Sequence, residues 1–476
     1  MTRDIPLNAF PIMKNGSLSL LSSLAIILCV ETLSAKEEYR YEVLVAGAPS
    51  GEVVDTWEEA TVGGQCVVKS ESAMRIVLSR GGFDLAMSTR TVAEADCGTY
   101  RPRSLSVTRD EGGGPIVTTV RREGDLLVSK TEKNGVSEKG TLKLDGTSVF
   151  FGMLFRKYPV EYFLKKGEVP AISEEGLTVR NLSFVGRRAG KDVVIDMEYA
   201  GVPITVTVRD RVVVHSIMNG GLIVYRLRGA GDLPMVAGKG LSNDVLAATA
   251  LPNEGLTVKN PRRLARLVMS VEKMGPDPEE ACGQRSEKKG DSRVIRVERP
   301  EKPCAGEVLP VDTAATIYED KDAPIIQKTV ARWRSISERS VLVRKVVSFV
   351  YGHITDKNYR HGTLSASETL EKRSGDCTEH AVLAAALLKA LGVPTRMAYG
   401  LVLSDDGRFF FHNWILVHTG TGWTNADPTY DQFPADAARL FMTSGGAGTA
   451  EREDLSLSIL NILRGARFTV TGFSHE

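Results

Sequence analysis

Between residues 36 and 227 apolar and polar positions alternate in short runs. Residues 39–45 alternate and are followed by Ala48-Pro49-Ser50-Gly51, which reads as a turn. Residues 74–78, 83–91, 117–121, 193–199, 204–208 and 222–227 continue the pattern, with Gly, Asp and Asn clusters between them at hairpin-like intervals. The period of two predicts an antiparallel β domain over residues 36–227.

Residues 228–255 are rich in Gly and small side chains, and 228–310 reads as a connector with strands. Within it Leu264, Leu267, Val268 and Val271 fit a helical period, while Leu267, Met269 and Val271 also alternate, so helix and strand both stand. Val294, Ile295 and Val297 predict a short strand. After Pro310 the spacing changes to three and four. Ile326, Val330 and Trp333 mark one helix over 323–335, and Val341, Val346, Phe349 and Val350 a second over 340–354. Ser367 is placed to cap a short helix ending at Leu370. An apolar helix follows over 377–391, stopped by Gly392 and Pro394. Strands return at 396–402, 409–418 and 423–426.

A length of 476 residues points to two or three domains. With 42% hydrophobic and 25% charged residues the chain can build a sizeable core. Its formal net charge of +1 lacks the basic excess of a nucleic-acid groove. No repeat of the solenoid kind is visible.

Residues 1–35 read as an export signal. Lys14 supplies a positive flank, 18–30 an apolar run, and Leu33-Ser34-Ala35 small residues for cleavage, with Met13 a cleaner start than Met1. The other reading is an uncleaved N-terminal anchor. Either way the expected location is periplasmic or secreted, where cysteines oxidise. Losing Cys29 with the signal leaves five. Cys66 with Cys97, and Cys282 with Cys304, can close two local loops, and Cys377 is left over.

Cys377 opens a strongly predicted helix in Ser374-Gly375-Asp376-Cys377-Thr378-Glu379-His380. Unpaired N–H groups and the positive end of the helix dipole favour a thiolate there, so its thiol is expected below the ordinary value of about 8.5. His412 lies on a strand whose alternation groups Phe410, His412, Trp414 and Leu416, and it can serve as the base. Asp427 follows a strand and turn and can hold the other imidazole nitrogen. Taken singly, each has an ordinary reading: a buried thiol, a packed histidine, an Asp that begins a turn before Pro428. Cys377 and His380 share a helix face that could offer metal ligands with His412, but neither a CxxC pair nor an HExxH motif accompanies them. The expectation is no metal and no cofactor.

The order of motifs carries more. Gly375-Asp376-Cys377-Thr378-Glu379-His380 precedes an Ala/Leu-rich helix. Then come Leu391-Gly392-Val393-Pro394-Thr395-Arg396, His412-Asn413-Trp414, the run 423–429, and Gln432-Phe433-Pro434-Ala435-Asp436-Ala437. In that order they resemble the transglutaminase-like superfamily, strongly over 365–440 and loosely from 323 to the C-terminus. The resemblance implies an α+β papain-like catalytic domain over 311–476, with Cys377 as nucleophile, His412 as base and Asp427 as orienting acid. It implies acyl transfer at a protein or peptide amide through a thioester, hydrolytic (protease, amidase or deamidase) where water resolves the thioester, or transamidating where an amine does. Asn413 stands where many members have Ala. It is expected on the opposite strand face, clear of the triad. The Cys377 N–H and Tyr359 are the candidate oxyanion donors, and His380 is expected packed and hydrogen-bonded.

The N-terminal strands, opening with Tyr41-Glu42-Val43 and a Gly-containing turn, resemble the curved-sheet lipid- or lipoprotein-carrier domains of the cell envelope. The plainer reading is a β accessory domain that positions the enzyme. A different class of function stays open: a catalytically silent envelope binding or assembly protein that works through its β domain.

Overall fold

The structure, a computed structural model, describes residues 36–199, 201–229, 244–274, 278–279, 281–445 and 465–476. The expected export signal at 1–35 and much of the Gly-rich stretch at 230–243 lie outside these residues.

A large sheet, antiparallel in all but its last pairing, takes up the N-terminal half. Its strands are β1 (Glu37–Val45), β2 (Ala48–Val62), β3 (Gln65–Arg80), β4 (Phe83–Asp96), β5 (Pro102–Asp110), β6 (Ile116–Glu123), β7 (Leu126–Lys133) and β8 (Val136–Lys143). They continue with β9 (Val149–Phe150), β10 (Gly167–Ile172), β11 (Val179–Ala189), β12 (Asp192–Tyr199), β13 (Val202–Arg209), β14 (Val212–Met218) and β15 (Ile223–Leu227). The order runs β8 to β1, then β15 to β9, so the two ends of the domain meet where β1 pairs with β15. Side chains of β4 and β12, far apart in that order, line one cavity, so the sheet curls around it. The short helix α1 (Leu154–Lys157) contributes Phe155 to the cavity wall.

The first hairpin differs from expectation. Its turn is Ala46-Gly47, with φ of 50° and 82°, and Ala48 already pairs with Val45. A two-residue hairpin favours positive φ at both central positions, which Gly47 supplies at no steric cost. Pro49 instead sits opposite Leu44 beside a register shift, where its missing N–H is tolerated.

The segment expected as a connector contributes strands to the C-terminal part. After the short helix α2 (Val245–Ala248) come β16 (Leu251–Pro252), β17 (Leu264–Glu272), β18 (Gln284–Lys289) and β19 (Ser292–Glu298). The undecided stretch is therefore strand β17, with Leu267, Met269 and Val271 buried in alternation. The remaining elements are α3 (Pro324–Val330), α4 (Arg339–His353), α5 (Ala366–Lys372), α6 (Cys377–Ala390), β20 (Thr395–Leu403), β21 (Arg408–His418), β22 (Trp423–Ala426), β23 (Arg439–Gly445) and β24 (Arg467–His475). One sheet combines β16, β21, β20, β23 and β22; a second runs β18-β19-β17-β24.

Helices α3 to α6 pack on Met397, Tyr399, Ile415 and Val417, while the second sheet packs on Leu401, Leu403, Phe409 and Leu440. Helix α6 sits at the centre, its side chains buried from Glu379 to Lys389. Such all-round burial suits its Ala/Leu composition. Helix α5 begins two residues earlier than the Ser367 cap implied. Ser365 and Glu368 form the capping box, and the Ser367 hydroxyl bonds Asp320.

The two halves meet through specific contacts. Lys133 of β7, fully buried, pairs with Glu368 at 2.9 Å, Glu138 of β8 accepts from the Ile317 N–H at 2.8 Å, and Ile116 joins the helical core.

Candidate active site

Cys377 is the first residue of α6. Asp376 caps the helix, its Oδ1 accepting from the Thr378 N–H at 2.7 Å, while Glu379 Oε2 accepts from the Asp376 N–H at 2.8 Å. The chain reaches this cap through Gly375 at φ 147°, where an added Cβ would lie 2.4 Å from Glu379 Cβ. That packing calls for glycine two residues ahead of Cys377. Burial and the neighbouring Asp376 push the Glu379 carboxyl well up.

His412, on β21, donates from Nε2 to Asp427 Oδ2 at 2.7 Å. Asp427 is fully buried just after β22 and also receives Arg439 at 2.6 Å on Oδ2 and the Thr429 N–H at 2.9 Å on Oδ1. Despite burial, which opposes ionisation, Arg439 and His412 hold its carboxyl far below the usual range. Arg439 is held in turn by Asp436 at 2.6 Å and Gln432 at 2.8 Å. Trp414 stacks on the His412 ring at 5.9 Å and Tyr430 flanks it at 5.5 Å. The imidazole therefore has a fixed orientation, with Nδ1 as the nitrogen left for reaction.

Cys377, His412, His380, Tyr359 and Tyr430 line one cavity of about 700 Å³. Cys377 is partly exposed to it. Burial pushes its thiol up, reinforced by Asp376 and opposed by the Asn413 backbone N–H and by Arg80. The expectation of a thiol more acidic than usual is thus corrected: the close protein surround and the neighbouring carboxylate outweigh the helix terminus. Such a thiolate is best reached by passing the proton to His412, as an ion pair, rather than by losing it to water.

Asn413 stands nearer the chemistry than its place on the opposite strand face suggested. Its side chain donates to Thr378 Oγ1 at 2.9 Å, tying β21 to the first turn of α6, and its backbone N–H favours the Cys377 thiolate. Tyr359 borders the cavity, and its hydroxyl is pushed up to about 12, chiefly by burial and then by Cys377. It keeps its proton, as an oxyanion donor must. His380 is fully buried and donates from Nδ1 to the Asp376 carbonyl at 2.6 Å; its pKa is pushed down to about 4, mainly by burial.

Two site residues escaped the sequence reading. Arg439 follows the Gln432–Ala437 motif, and its one signal was a lone charge entering an apolar strand. Arg80 comes from β3 of the other half. Its Nη2 lies 3.0 Å from Asp376 Oδ2, and its guanidinium stands 5.3 Å from the Tyr359 ring centroid. Nothing local in the sequence marks it.

Cys66 is bonded to Cys97 and Cys282 to Cys304, and Cys377 is a free thiol. The second bridge lies beside the site: Cys304 exchanges both backbone hydrogen bonds with Trp423 of β22, at 2.9 and 2.8 Å. Among the described residues the metal-ligand geometry that arises is Glu59 with Cys66 and Cys97, whose sulfurs are already bonded to each other. No helix among the described residues is long and apolar enough to cross a membrane.

A helix-borne cysteine that shares a cavity with a strand-borne histidine, itself bonded to a buried aspartate, is the arrangement of a class of cysteine site. Residues 329–428 match the family model of the transglutaminase-like superfamily, so the C-terminal part of this chain carries a transglutaminase-like domain behind a large antiparallel β region. No curated protein matches the chain. Three solved structures are similar over parts of it. A cysteine-protease candidate from Cytophaga hutchinsonii is 14% identical, over 45% of this chain and 86% of that one, at TM-score 0.28. The periplasmic domain of TgpA from Pseudomonas aeruginosa is 15% identical, over 39% and 90%, at 0.27. A β-barrel-like protein of a domain of unknown function from Brucella abortus is 12% identical, over 40% and 94%, at 0.28.

Proposed function

We propose that this chain is an exported cysteine hydrolase that cleaves an amide through a thioester on Cys377. The observation that carries the reading is the His412–Asp427 pair, 2.7 Å apart and locked by Arg439, opening on the same cavity as Cys377. In the papain-like scheme His412 takes the Cys377 proton and the thiolate attacks the amide carbonyl. The Cys377 N–H and the Tyr359 hydroxyl stabilise the oxyanion. Imidazolium Nδ1–H then protonates the leaving amine as the C–N bond breaks, and water, activated by His412, releases the acid. Asp427 stays ionised throughout and holds the ring. Two disulfides suit a chain that works in the periplasm or outside the cell.

The test is acyl-enzyme trapping by mass spectrometry on a panel of amide substrates. Cys377→Ala and His412→Ala should abolish the adduct and turnover with the fold intact. Asp427→Asn should lower kcat by roughly two to four orders of magnitude, through loss of the correct tautomer. Unchanged turnover in Cys377→Ala ends the reading.

A further inference from the structure

Alternate residues on two strands of the N-terminal sheet form a stripe that runs from inside the sheet to Cys377. On β1, Tyr39 and Tyr41 line the inner cavity of about 470 Å³, and Val43 and Val45 line the active-site cavity. On β3, Ser72 and Met74 line the inner cavity, and Met74, Ile76, Leu78 and Arg80 the outer one. Steps of two place each set on a single face of its strand. Met74 and Tyr225 line both cavities, so the two adjoin at these side chains. At about 3.4 Å per residue the β3 stripe is roughly 27 Å long. It ends at Arg80, which is paired with Asp376 beside the nucleophile.

We infer that the amide attacked by Cys377 is that of a long-chain fatty acyl group, with the alkyl chain lying along this stripe and the carbonyl at Cys377. This rests on the hydrolase reading and names its substrate class. The backbone favours an alkyl chain over an apolar peptide. Strand β1 is paired with β2 and β15, and β3 with β2 and β4, so both present side chains to the cavity and no open edge. A peptide drawn between them would give up hydrogen bonds to water and find few in return. A methylene chain has none to give up and gains with each carbon buried. In the reaction the Cys377 sulfur bonds the acyl carbon and the C–N bond breaks. The amine leaves with the proton held by His412, and water hydrolyses the thioester to the fatty acid and free Cys377.

The probes are N-acetyl-, N-octanoyl- and N-dodecanoylglycine, with acetyl-Leu-Leu-glycine as the peptide arm. Binding to full-length Cys377→Ala protein is measured by calorimetry, and glycine release by the wild type. Affinity should rise about three- to fourfold per added methylene over part of the series, and kcat/KM with it. Ile76→Glu should remove the chain-length gain and Ile76→Leu should keep it. Should Ile76→Glu melt early, Met74→Gln, where the two cavities join, makes the same test. Equal affinity for the acetyl and dodecanoyl probes, or tighter binding of the peptide, overturns the inference. Glycine release without chain-length dependence overturns it too and leaves the hydrolase standing. Chain-length-dependent binding without glycine release leaves the stripe as an alkyl-binding site but strikes the hydrolase reading, and with it the assignment of the attacked amide.

Discussion

Arg80 leaves the end of a strand in the N-terminal sheet and stops at Asp376, the residue before Cys377. It places a positive charge where a carboxylate and burial both oppose the thiolate. Replacing it with Gln removes that charge and leaves Asp376 uncompensated, so the Cys377 thiol should move further up. The pH profile of iodoacetamide alkylation should shift to higher pH by roughly one unit, and Arg80→Lys should recover most of it. An unshifted profile in Arg80→Gln would make the pair purely structural. Cys377, His412 and Asp427 were legible because each lies in a local motif with a recognisable role. Arg80 and Arg439 were not, because an ion pair is defined by its partner, and theirs arrive through folding. The acidity expected for Cys377 failed for the same reason: the helix terminus is local, whereas the surround that desolvates the sulfur comes from several elements.

Helix α6 carries both Cys377, the candidate nucleophile, and His380, and one element thus links the candidate site to acid stability. His380 folds as a neutral ring with a pKa of about 4, against roughly 6.5 in an unfolded chain. Between those values the unfolded state binds more protons, so stability falls as pH drops from about 6.5 to about 4, by roughly 3 kcal/mol in all. Urea unfolding at pH 7 and pH 4.5 should show this limb, and His380→Gln, which retains an N–H for the Asp376 carbonyl, should flatten it. A limb of the same depth in the variant would assign the acid sensitivity elsewhere. At this scale periodicity located α4, α6, β20 and β21 well. It stayed undecided at β17, since Leu267 and Val271 belong to both the helical and the alternating set, and only pairing with β19 and β24 selects the strand. It misplaced the first hairpin turn because Pro49 was taken as a turn former, whereas two positive-φ positions belonged at Ala46 and Gly47.

Across the whole molecule, oxidation and catalysis have to be kept apart. Cys66–Cys97 closes a hairpin of the N-terminal sheet and Cys282–Cys304 secures the segment beside β22, which leaves one free sulfur among the described residues. Native, unreduced protein should therefore take up one equivalent of iodoacetamide, mapped to Cys377, and labelling at any of the other four would contradict the pairing. The sequence by itself determined the two halves, the order of the motifs and the three residues of the candidate triad. These depend on short-range periodicity, capping and spacing, which a chain carries whatever it packs against. Only the tertiary structure decided that residues 251–298 build the C-terminal core and that Arg439 locks the aspartate. It alone decided that the inner face of the N-terminal sheet forms a wall of the active-site cavity. The first and last join residues more than a hundred positions apart, and Arg439 reaches Asp427 from a different strand, so their energies come from burial and charge pairing that exist only once the chain has folded.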